Sequence, residues 1–376
     1  MRSKIVWSAC LALLLAGLAV PSASSAPADS VPQHLRHTGQ WFADEHGKVV
    51  VIHGTNMINK LAPYTPDALG FGDEDLRFLA DNGFNGIRLG LTWAAVEPSP
   101  GQYDDAYIDK IIALAAKATA YGMLPVVNFH QDGYSEVYGG NGAPAWASLS
   151  YGVPGSPLPA PANVLPGAAI ANENFWANAK APDGVGLQDH YAAAWQHVAA
   201  RFDDDSHTVF ELINEPSPGY VDVAPCALPI GCPLFDQGKL APFYDKVLGA
   251  VREVDADRLV FVEPSAFFGL GARTWLPASG DPQVGFAFHN YCALALVQLP
   301  LAVPTLPCDV LTSLNQANAQ AQFDATGEPL LMNEFGAGDT DAVVSGVVDR
   351  ADQAMLSWMH WAYWAQDFGH PATYGL

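Results

Sequence analysis

Short apolar runs recur along this chain, and glycine-rich or polar segments separate them. Runs of this kind are typical of buried β-strands, whereas the longer segments between them show the apolar periodicity of helices. The pattern predicts eight strands, at Val49–Met57, Gly86–Leu91, Leu124–His130, Val209–Asn214, Leu259–Glu263, Gly285–His289, Pro329–Glu334 and Trp361–Trp364.

Helices are predicted between these strands. Asp73–Asn82 and Asp105–Tyr121 are each followed by a glycine, the usual residue just after a helix, and in Asp189–Phe202 the large apolar side chains share one face. Strands that alternate with helices in this way predict a (β/α)8 barrel, whose functional sites lie at the carboxyl ends of the strands. A doubly wound open sheet is the alternative, although no G-x-G-x-x-G or phosphate-binding loop follows any strand.

Two short, apolar, strand-like segments each lead into a glutamate that is followed by a breaker residue. The run Leu212–Pro216 reaches Glu215 just before its proline, and the run Leu330–Gly336 contains Glu334 two residues before its glycine. A carboxylate at the end of a buried strand loses hydration, which costs free energy unless a partner or a function compensates. Two such carboxylates predict the paired acids that hydrolyse a glycosidic bond. The alternative is that each glutamate leads its strand into solvent.

Further polar and aromatic residues stand at the ends of other predicted strands. In a barrel these ends meet at one mouth, so the residues should surround the two glutamates. Each has an ordinary explanation when taken alone, such as a core histidine or an arginine that neutralises a buried carboxylate. Together they match retaining glycoside hydrolysis, which uses a cation and a phenol beside the nucleophile, an amide for the sugar 2-hydroxyl and an indole for the sugar ring. They are Arg88, His130, Asp132, Asn214, His289, Tyr291 and Trp361.

The sequence resembles glycoside hydrolase family five, of the retaining clan A, in the Asn214-Glu215-Pro216 triplet, the isolated Glu334 and the residues around them. Further motifs resemble the endoglycoceramidase and endogalactosylceramidase-like subfamily in particular. They are His53-Gly54-Thr55-Asn56 with Lys60, Gly83 to Gly90 with Trp93 and Glu97-Pro98, and Phe129-His130-Gln131-Asp132 with Asn141-Gly142-Ala143-Pro144. The likeness runs from about residue 38 to 365 and so covers most of the chain.

The resemblance implies a role for each residue of the site. Glu215 would be the general acid/base and Glu334 the nucleophile, with Arg88 and His289 in support, and neither a cofactor nor a metal is expected. Trp364 is an alternative to Trp361 as the platform for the sugar ring. The residues implied to bind the sugar next to the scissile bond are Lys60, His130, Asp132, Trp176, Asn214, Tyr291 and Trp361.

Members of this subfamily cut the bond between an oligosaccharide and ceramide and leave both halves intact. The resemblance therefore implies a glycosphingolipid substrate, transient contact with a membrane or micelle surface, and no stable protein partner. It also implies an apolar wall on the leaving-group side, for which ordinary packing under a loop is the alternative. Candidate wall residues lie in the loops after the sixth and fourth predicted strands: Leu294, Leu296, Val297, Leu299, Leu228 and Ile230.

The chain begins with a segment typical of a secretory signal peptide. Positively charged residues precede the apolar stretch Ile5–Val20, and small residues then offer a cleavage site before Asp29. An uncleaved anchor is the alternative, but this stretch is short for a bilayer. We expect residues 1–28 to be removed, residues 29–376 to form the catalytic domain, and the protein to be secreted.

Four cysteines remain outside the leader, and an even number in an exported chain indicates disulfides rather than a metal site. The sequence allows three pairings. We favour Cys226–Cys232 and Cys292–Cys308, because each would close a proline-rich loop. Zinc is a weaker alternative, since no C-x-x-C pair or histidine-rich partner is present.

The net charge of −22 would become −24 after loss of Arg2 and Lys4 with the leader. Such a surface repels nucleic acid and anionic membranes, so nucleic acid is excluded as a partner. The chain ends at Leu376, shortly after the eighth predicted strand. Because family members continue into a β-sandwich, we expect that domain to be missing, the barrel to be truncated or closed in another way, and stability to be its weak point.

Three other functions stay open from the sequence. A β-glycosidase such as an endoglucanase could act on soluble glycans, but Lys60 and the His-Gln-Asp motif favour the ceramide-linked subgroup. A non-catalytic glycolipid-binding remnant is opposed by the presence of both glutamates. A metal-dependent hydrolase could use His130, Asp132 and His289, but a single His-x-Asp is a weak metal motif.

Overall fold

The computed structural model describes residues 31–32, 35–154, 166–202, 207–292, 307–337 and 340–363. A small antiparallel sheet comes first, formed by β1 (Arg36–Thr38), β2 (Trp41–Ala43) and β3 (Val49–Val50). Phe42 in β2 packs edge-on against Phe261, 5.6 Å between ring centroids, within a buried cluster that holds the first residues of several later strands. The small sheet therefore closes the amino-terminal end of the barrel.

Eight parallel strands form a closed barrel, in which each strand pairs with its neighbours in sequence and the last pairs with the first. They are β4 (His53–Met57), β5 (Gly86–Leu91), β6 (Leu124–Phe129), β7 (Val209–Glu211), β8 (Val260–Val262), β9 (Val284–His289), β10 (Leu330–Glu334) and β11 (Ser357–His360). The (β/α)8 prediction is confirmed and the open sheet is excluded.

Six helices return the chain between strands: Asp73–Asp81, Asp105–Ala120, Leu187–Arg201, Ala241–Arg252, Cys308–Thr326 and Asp341–Gln353. A short 3-10 turn, Ala266–Leu270, takes the place of a helix between β8 and β9. Further helical segments lie in the loops: the 11-residue helix Pro166–Trp176 and short ones at Pro66–Leu69, Trp93–Val96, Glu136–Tyr138, Ala145–Ala147, Val223–Cys226, Pro233–Phe235 and Asp236–Leu240. Among the described residues, no helix has the length and hydrophobicity needed to cross a bilayer.

Three strand predictions were wrong in their bounds. The strand predicted at Val209–Asn214 ends at Glu211, and two others differ more. The first predicted strand is divided, because Val49–Val50 pairs with β2 whereas His53–Met57 pairs with β5 and β11. The eighth strand is Ser357–His360, and the predicted segment from Trp361 onward begins only after it ends. Its sequence, Ser-Trp-Met-His, places only two apolar residues between two polar ones, so it does not form the apolar run that predicts a buried strand. Trp364 lies outside the described residues.

The two local disulfides, Cys226–Cys232 and Cys292–Cys308, are confirmed. The first closes a loop between β7 and the helix Ala241–Arg252, at the carboxyl-terminal end of the barrel. The second joins the segment after β9 to the start of the helix Cys308–Thr326. Of the predicted apolar wall, Leu228 and Ile230 lie exposed in the first loop, whereas Leu294, Leu296, Val297 and Leu299 lie outside the described residues.

Asp236, just after the first disulfide loop, should make stability depend on pH. Its Oδ2 accepts from the Trp275 amide at 2.7 Å, whereas Oδ1 has no hydrogen-bond partner among the described residues. Burial raises the pKa of Asp236 from 3.8 to about 6. Because this pKa is higher in the folded than in the unfolded chain, Asp236 does not destabilise the fold below pH 3.8. Its ionisation lowers the free energy of unfolding as the pH rises from 3.8 to about 6, and the loss persists at higher pH. The cost is roughly 2–3 kcal/mol.

We therefore expect Asp236→Asn to raise the free energy of unfolding at pH 8 and to change it little near pH 4. Urea titrations at the two pH values measure the difference. Asp67→Asn, which makes the same charge change at an exposed site, is the control. An equal effect of both variants at pH 8 would contradict the assignment.

Candidate active site

A fully buried arginine, Arg88 in β5, organises the interior of the barrel near its carboxyl end. Its Nε donates to Glu211 Oε2 at 2.9 Å, its Nη1 donates to Asn56 and Glu334, and its Nη2 donates to Asn214 Oδ1 at 2.7 Å. Burial alone would lower the pKa of Arg88, but the carboxylates of Glu211 and Glu334 outweigh it and raise that pKa further. Arg88 is therefore a permanent cation, and its hydrogen bonds connect β5 with β4, β7 and β10.

The two predicted glutamates lie together. Glu334 ends β10, Glu215 follows β7, and one carboxylate oxygen of each lies within 4.8 Å of the other. Glu334 is buried, whereas the Glu215 side chain keeps 28% of its surface exposed. Carboxyl groups roughly 5–5.5 Å apart suit a retaining hydrolase, because an inverting enzyme needs a wider gap for water. The spacing therefore suits a nucleophile and an acid/base on opposite sides of one glycosidic bond.

Glu334 is held by two donors. The Tyr291 hydroxyl donates to its Oε2 at 2.7 Å, and Arg88 Nη1 donates to its Oε1. Burial and the neighbouring Glu334 carboxylate raise the pKa of Tyr291 well above its usual value, so it remains a phenol donor. These contacts orient the Glu334 carboxylate and stabilise its negative charge, as a nucleophile requires.

His289, at the end of β9, lies between three carboxylates. Its Nδ1 is 2.8 Å from Glu215 Oε1 and 3.3 Å from Glu334 Oε2, and its Nε2 is 3.1 Å from Glu263 Oε1. Burial would lower the pKa of His289, but Glu263 and Glu334 raise it well above the usual value. Both ring nitrogens thus face carboxylate oxygens, a setting that favours the imidazolium form of His289.

Four buried residues of this network were not predicted as part of the site: Asn56, Glu211, Glu263 and Asn333. Asn333 Nδ2 donates to Glu211 Oε2 at 2.9 Å and to Glu263 Oε1 at 2.5 Å. Burial and the Glu263 carboxylate raise the pKa of Glu211 against the opposing effect of Arg88. Glu263 carried a usable signal, because it ends a predicted strand and precedes a proline just as Glu215 does. Glu211 did too, as a lone acid within an apolar run.

A second cluster forms the rim of the site and contains four of the predicted sugar-binding residues. Lys60 Nζ is 2.7 Å from Asp132 Oδ2 and 4.4 Å from the centre of the Trp361 ring. His130 stacks on Trp361, 5.4 Å between centroids, and its Nε2 is 3.2 Å from Asp132 Oδ2. Burial would raise the pKa of Asp132, but Lys60 and His130 lower it well below the usual value. An anionic acceptor, an ammonium donor and an indole thus lie side by side, a combination suited to sugar hydroxyls.

Two predicted sugar contacts already have protein partners. Asn214 donates from Nδ2 to the Gln131 carbonyl at 2.9 Å and accepts from Arg88, and it is buried. Trp176, at the end of the helix Pro166–Trp176, donates from Nε1 to the Ser217 carbonyl at 2.8 Å and lines a small cavity with His130. Their roles toward a sugar stay predictions.

Glu215, His289 and Glu334 also present three ligating atoms within 4.8 Å of one another, a spacing that could hold a metal ion. Both nitrogens of His289 point to carboxylate oxygens at hydrogen-bond distance, and Tyr291 donates to Glu334. This donor and acceptor pattern is complete with a protonated His289, so we assign the three residues to acid–base chemistry. His130 and Asp132, proposed above as partners of His289 in a metal site, belong to the rim cluster instead.

Comparisons with known proteins agree with this geometry. The family model described as cellulase (glycosyl hydrolase family 5) matches residues 43–367. Endoglycoceramidase I of Rhodococcus hoagii strain 103S is 31% identical over 352 residues, which are 90% of this chain and 69% of that protein. The solved structure of endo-glycoceramidase II from a Rhodococcus species has a TM-score of 0.72 at 29% identity, covering 92% of this chain and 77% of the other.

That Rhodococcus enzyme has also been solved as a lactosyl-enzyme intermediate and with ganglioside GM3. A structure titled endogalactoceramidase gives a TM-score of 0.72 at 26% identity, over 90% of this chain and 76% of that one. The family match covers most of the chain, including both glutamates at the mouth of the barrel. This chain therefore belongs to glycosyl hydrolase family 5.

Proposed function

We propose that this protein is a secreted, retaining endo-glycosidase that hydrolyses the β-glycosidic bond between the oligosaccharide and the ceramide of glycosphingolipids. The observation that carries the proposal is the pairing of Glu215 and Glu334 beside the rim cluster of Lys60, Asp132 and Trp361. Endoglycoceramidases among the relatives and the GM3 complex of one of them support the substrate class. The leader and the two disulfides support export to an oxidising compartment.

In the first step the Glu334 carboxylate attacks the anomeric carbon. The carbon–oxygen bond to ceramide breaks, and Glu215 delivers a proton to the departing oxygen, so ceramide leaves as an alcohol. The Tyr291 and Arg88 donors hold the attacking carboxylate in place. Glu334 then carries the oligosaccharide as a glycosyl ester.

In the second step water attacks the anomeric carbon of that ester. The Glu215 carboxylate takes a proton from the water, and the bond to Glu334 breaks, which releases a free oligosaccharide. Two displacements at one carbon retain its configuration. The close spacing of the two carboxylates supports this route over direct displacement by water.

Mass spectrometry of products tests the proposal directly. The protein from Asp29 to Leu376 is incubated with a mixture of glycosphingolipids in mild detergent, in parallel with cello-oligosaccharides and with Glu334→Gln. We expect intact oligosaccharide and intact ceramide from the wild type and neither from the variant. Cleavage of cello-oligosaccharides alone would reassign the enzyme to soluble glycans. Binding of glycolipid without cleavage would reduce it to a binding protein.

We also propose that two loops at the mouth contact the lipid surface that holds the substrate. They expose a set of apolar side chains: Tyr220, Val221, Leu228, Ile230, Leu234 and Trp275. The Trp275 indole donates to the Ile230 carbonyl at 2.8 Å, which joins the loop after β7 to the loop after β8. Exposed apolar groups at the carboxyl end of the barrel and an indole with a hydrogen-bonded tip suit a membrane interface.

The double variant Leu228→Ser with Ile230→Ser tests this surface. We expect lower cleavage of glycolipid in phosphatidylcholine vesicles and little change with the same glycolipid in detergent micelles. Met355→Ser is the control, since Met355 is also exposed but precedes β11 at the opposite end of the barrel. Equal losses in vesicles and micelles would instead place Leu228 and Ile230 in the substrate-binding groove.

A further inference from the structure

Glu263, directly after β8, contacts the proposed acid/base Glu215 and its neighbour His289. It is 2% exposed. Its Oε2 accepts from the Glu215 amide at 2.7 Å, and its Oε1 lies 3.1 Å from His289 Nε2. Asn333 and Arg88 also donate to Oε1, Arg88 at 3.4 Å. Every one of these contacts requires an acceptor, so an ionised carboxylate satisfies all of them and an amide does not.

The contact with the Glu215 amide holds a backbone conformation that L-residues rarely adopt. Glu215 has φ +43° and is followed by Pro216. Conformations of this kind persist where the surroundings hold them in place, and they cluster at active sites. Glu263 supplies that restraint with a charged acceptor at the amide of the strained residue.

The contact with His289 completes a ring of groups around this imidazole. It faces Glu215 after β7, Glu263 after β8 and Glu334 in β10. Tyr291 packs against it edge-on at 5.9 Å, and Arg88 lies behind Glu263 and Glu334. The adjoining turn Ala266–Leu270 carries no titratable side chain. Glu263 is the one carboxylate of the three that takes no direct part in the proposed chemistry.

We propose that Glu263 is a positioning residue for the acid/base: it keeps His289 protonated and Glu215 in place, so that the His289–Glu215 pair holds the proton that the leaving group receives. When the glycosidic bond breaks, the Glu215 proton moves to the departing oxygen and the His289 Nδ1 proton follows onto Glu215 across 2.8 Å. When water attacks, Glu215 passes that proton back to His289 Nδ1 and its carboxylate takes one from the water, so both groups end as they began. The catalytic part of this inference rests on the proposed function, whereas the charge state of His289 does not.

The charge on Glu334 determines when His289 releases its proton. Attack turns the Glu334 carboxylate into a neutral ester, which removes one of the negative charges that stabilise the imidazolium. His289 thus releases its proton more readily at the moment when the leaving oxygen needs one. The Glu263 carboxylate at Nε2 is unchanged by the reaction, so it favours return of the proton to His289 Nδ1 when the ester is hydrolysed.

The test compares Glu263→Gln with Glu211→Gln. Glu211 is the control because it is also buried and contacts Arg88, Asn333 and Glu263, yet it makes no hydrogen bond to His289 or Glu215 among the described residues. In ¹⁵N NMR titrations, with the His289 signal assigned by His289→Gln, we expect His289 to stay protonated through neutral pH in the wild type. We expect its midpoint to fall by about one to three pH units in Glu263→Gln and to fall much less in Glu211→Gln, which leaves the carboxylate at Nε2 in place.

Kinetics give the second readout. The ratio kcat/KM reports steps up to formation of the glycosyl-enzyme, and 2,4-dinitrophenyl β-lactoside needs no proton for its leaving group. For Glu263→Gln we expect a loss of roughly 10²-fold or more on 4-methoxyphenyl β-lactoside, little loss on the dinitrophenyl compound, and a basic limb shifted to lower pH. Glu211→Gln should affect both compounds alike.

Equal losses on both substrates, or an unchanged His289 midpoint in Glu263→Gln, would overturn the proposal. If Glu263→Gln does not fold, the wild-type titration decides, because a neutral His289 at pH 7 contradicts the proposal directly. Glu263→Asp keeps the charge and should retain a protonated His289. If the wild type cleaves neither lactoside, the proposed function is in doubt, and the NMR arm still tests the role of Glu263.

Discussion

Replacing Glu334 by alanine should lower kcat on glycosphingolipids by roughly 10⁴- to 10⁶-fold, the range expected when a covalent nucleophile is removed. The physical reason is that the Tyr291 and Arg88 donors would remain but would have no carboxylate to hold against the anomeric carbon. Steady-state assays by mass spectrometry measure the loss. Binding should be much less affected, because the rim cluster of Lys60, Asp132 and Trp361 is left intact.

Azide provides the control for this assignment. In Glu334→Ala the small anion can enter the space that the carboxylate leaves and attack a 2,4-dinitrophenyl glycoside from the same face, which yields a glycosyl azide of inverted configuration. NMR of the product distinguishes the two anomers. Restored turnover with an azide of retained configuration would contradict the role of nucleophile, and so would a variant that keeps wild-type kcat.

Replacing Glu215 by alanine should separate substrates by their leaving groups. We expect kcat/KM to fall by roughly 10²- to 10⁴-fold on glycolipids, whose alkoxide needs a proton, and to change little on 2,4-dinitrophenyl glycosides. The second step also slows, because no base activates the water, so the glycosyl-enzyme should accumulate. A burst in stopped-flow absorbance and an increased protein mass would show this intermediate.

Azide also tests Glu215, with the opposite stereochemical result. In Glu215→Ala it should attack the accumulated ester on Glu334 and give a glycosyl azide of retained configuration. Asn214 offers no matched control, since it also contacts Arg88, so we use Asp236→Asn with soluble glycosides. Asp236 is a buried acid whose side chain contacts Thr274 and Trp275 and not the catalytic pair. Loss of activity on activated and unactivated substrates alike would indicate a structural role for Glu215.

The charge balance of the site explains why it needs so large a network. Glu211, Glu263 and Glu334 are buried together, and Arg88 and His289 are the cations that contact them in the described part of the chain. Desolvation of charged groups costs several kcal/mol each, which close ion pairs only partly offset. Such a cluster contributes little to stability. Its benefit is preorganisation, because donors and charges are already in position when charge develops in the transition state.

The barrel could be predicted because its signals are local. A buried parallel strand must be apolar along its length, so six of the eight strands were recognisable as short apolar runs, and the glutamates at the ends of two of them stood out against that background. The strand Ser357–His360 could not be recognised, because it is short and has a polar residue at each end, and its alternating burial depends on neighbours far away in sequence. The division of Val49–Met57 has the same origin, since its two halves pair with different sheets.

The sequence by itself thus determined the fold class, the two glutamates that we propose as catalytic and the group of residues around them, since each depends on residue type at a strand end. Only the tertiary structure showed that Glu263 contacts Glu215 and His289, and that Glu211 joins Arg88 in the interior. Burial, charge partners and hydrogen-bond geometry arise when strands distant in sequence meet around one axis. Protonation states depend on those distances, so the charge on His289 belongs to the folded barrel and not to its sequence motif.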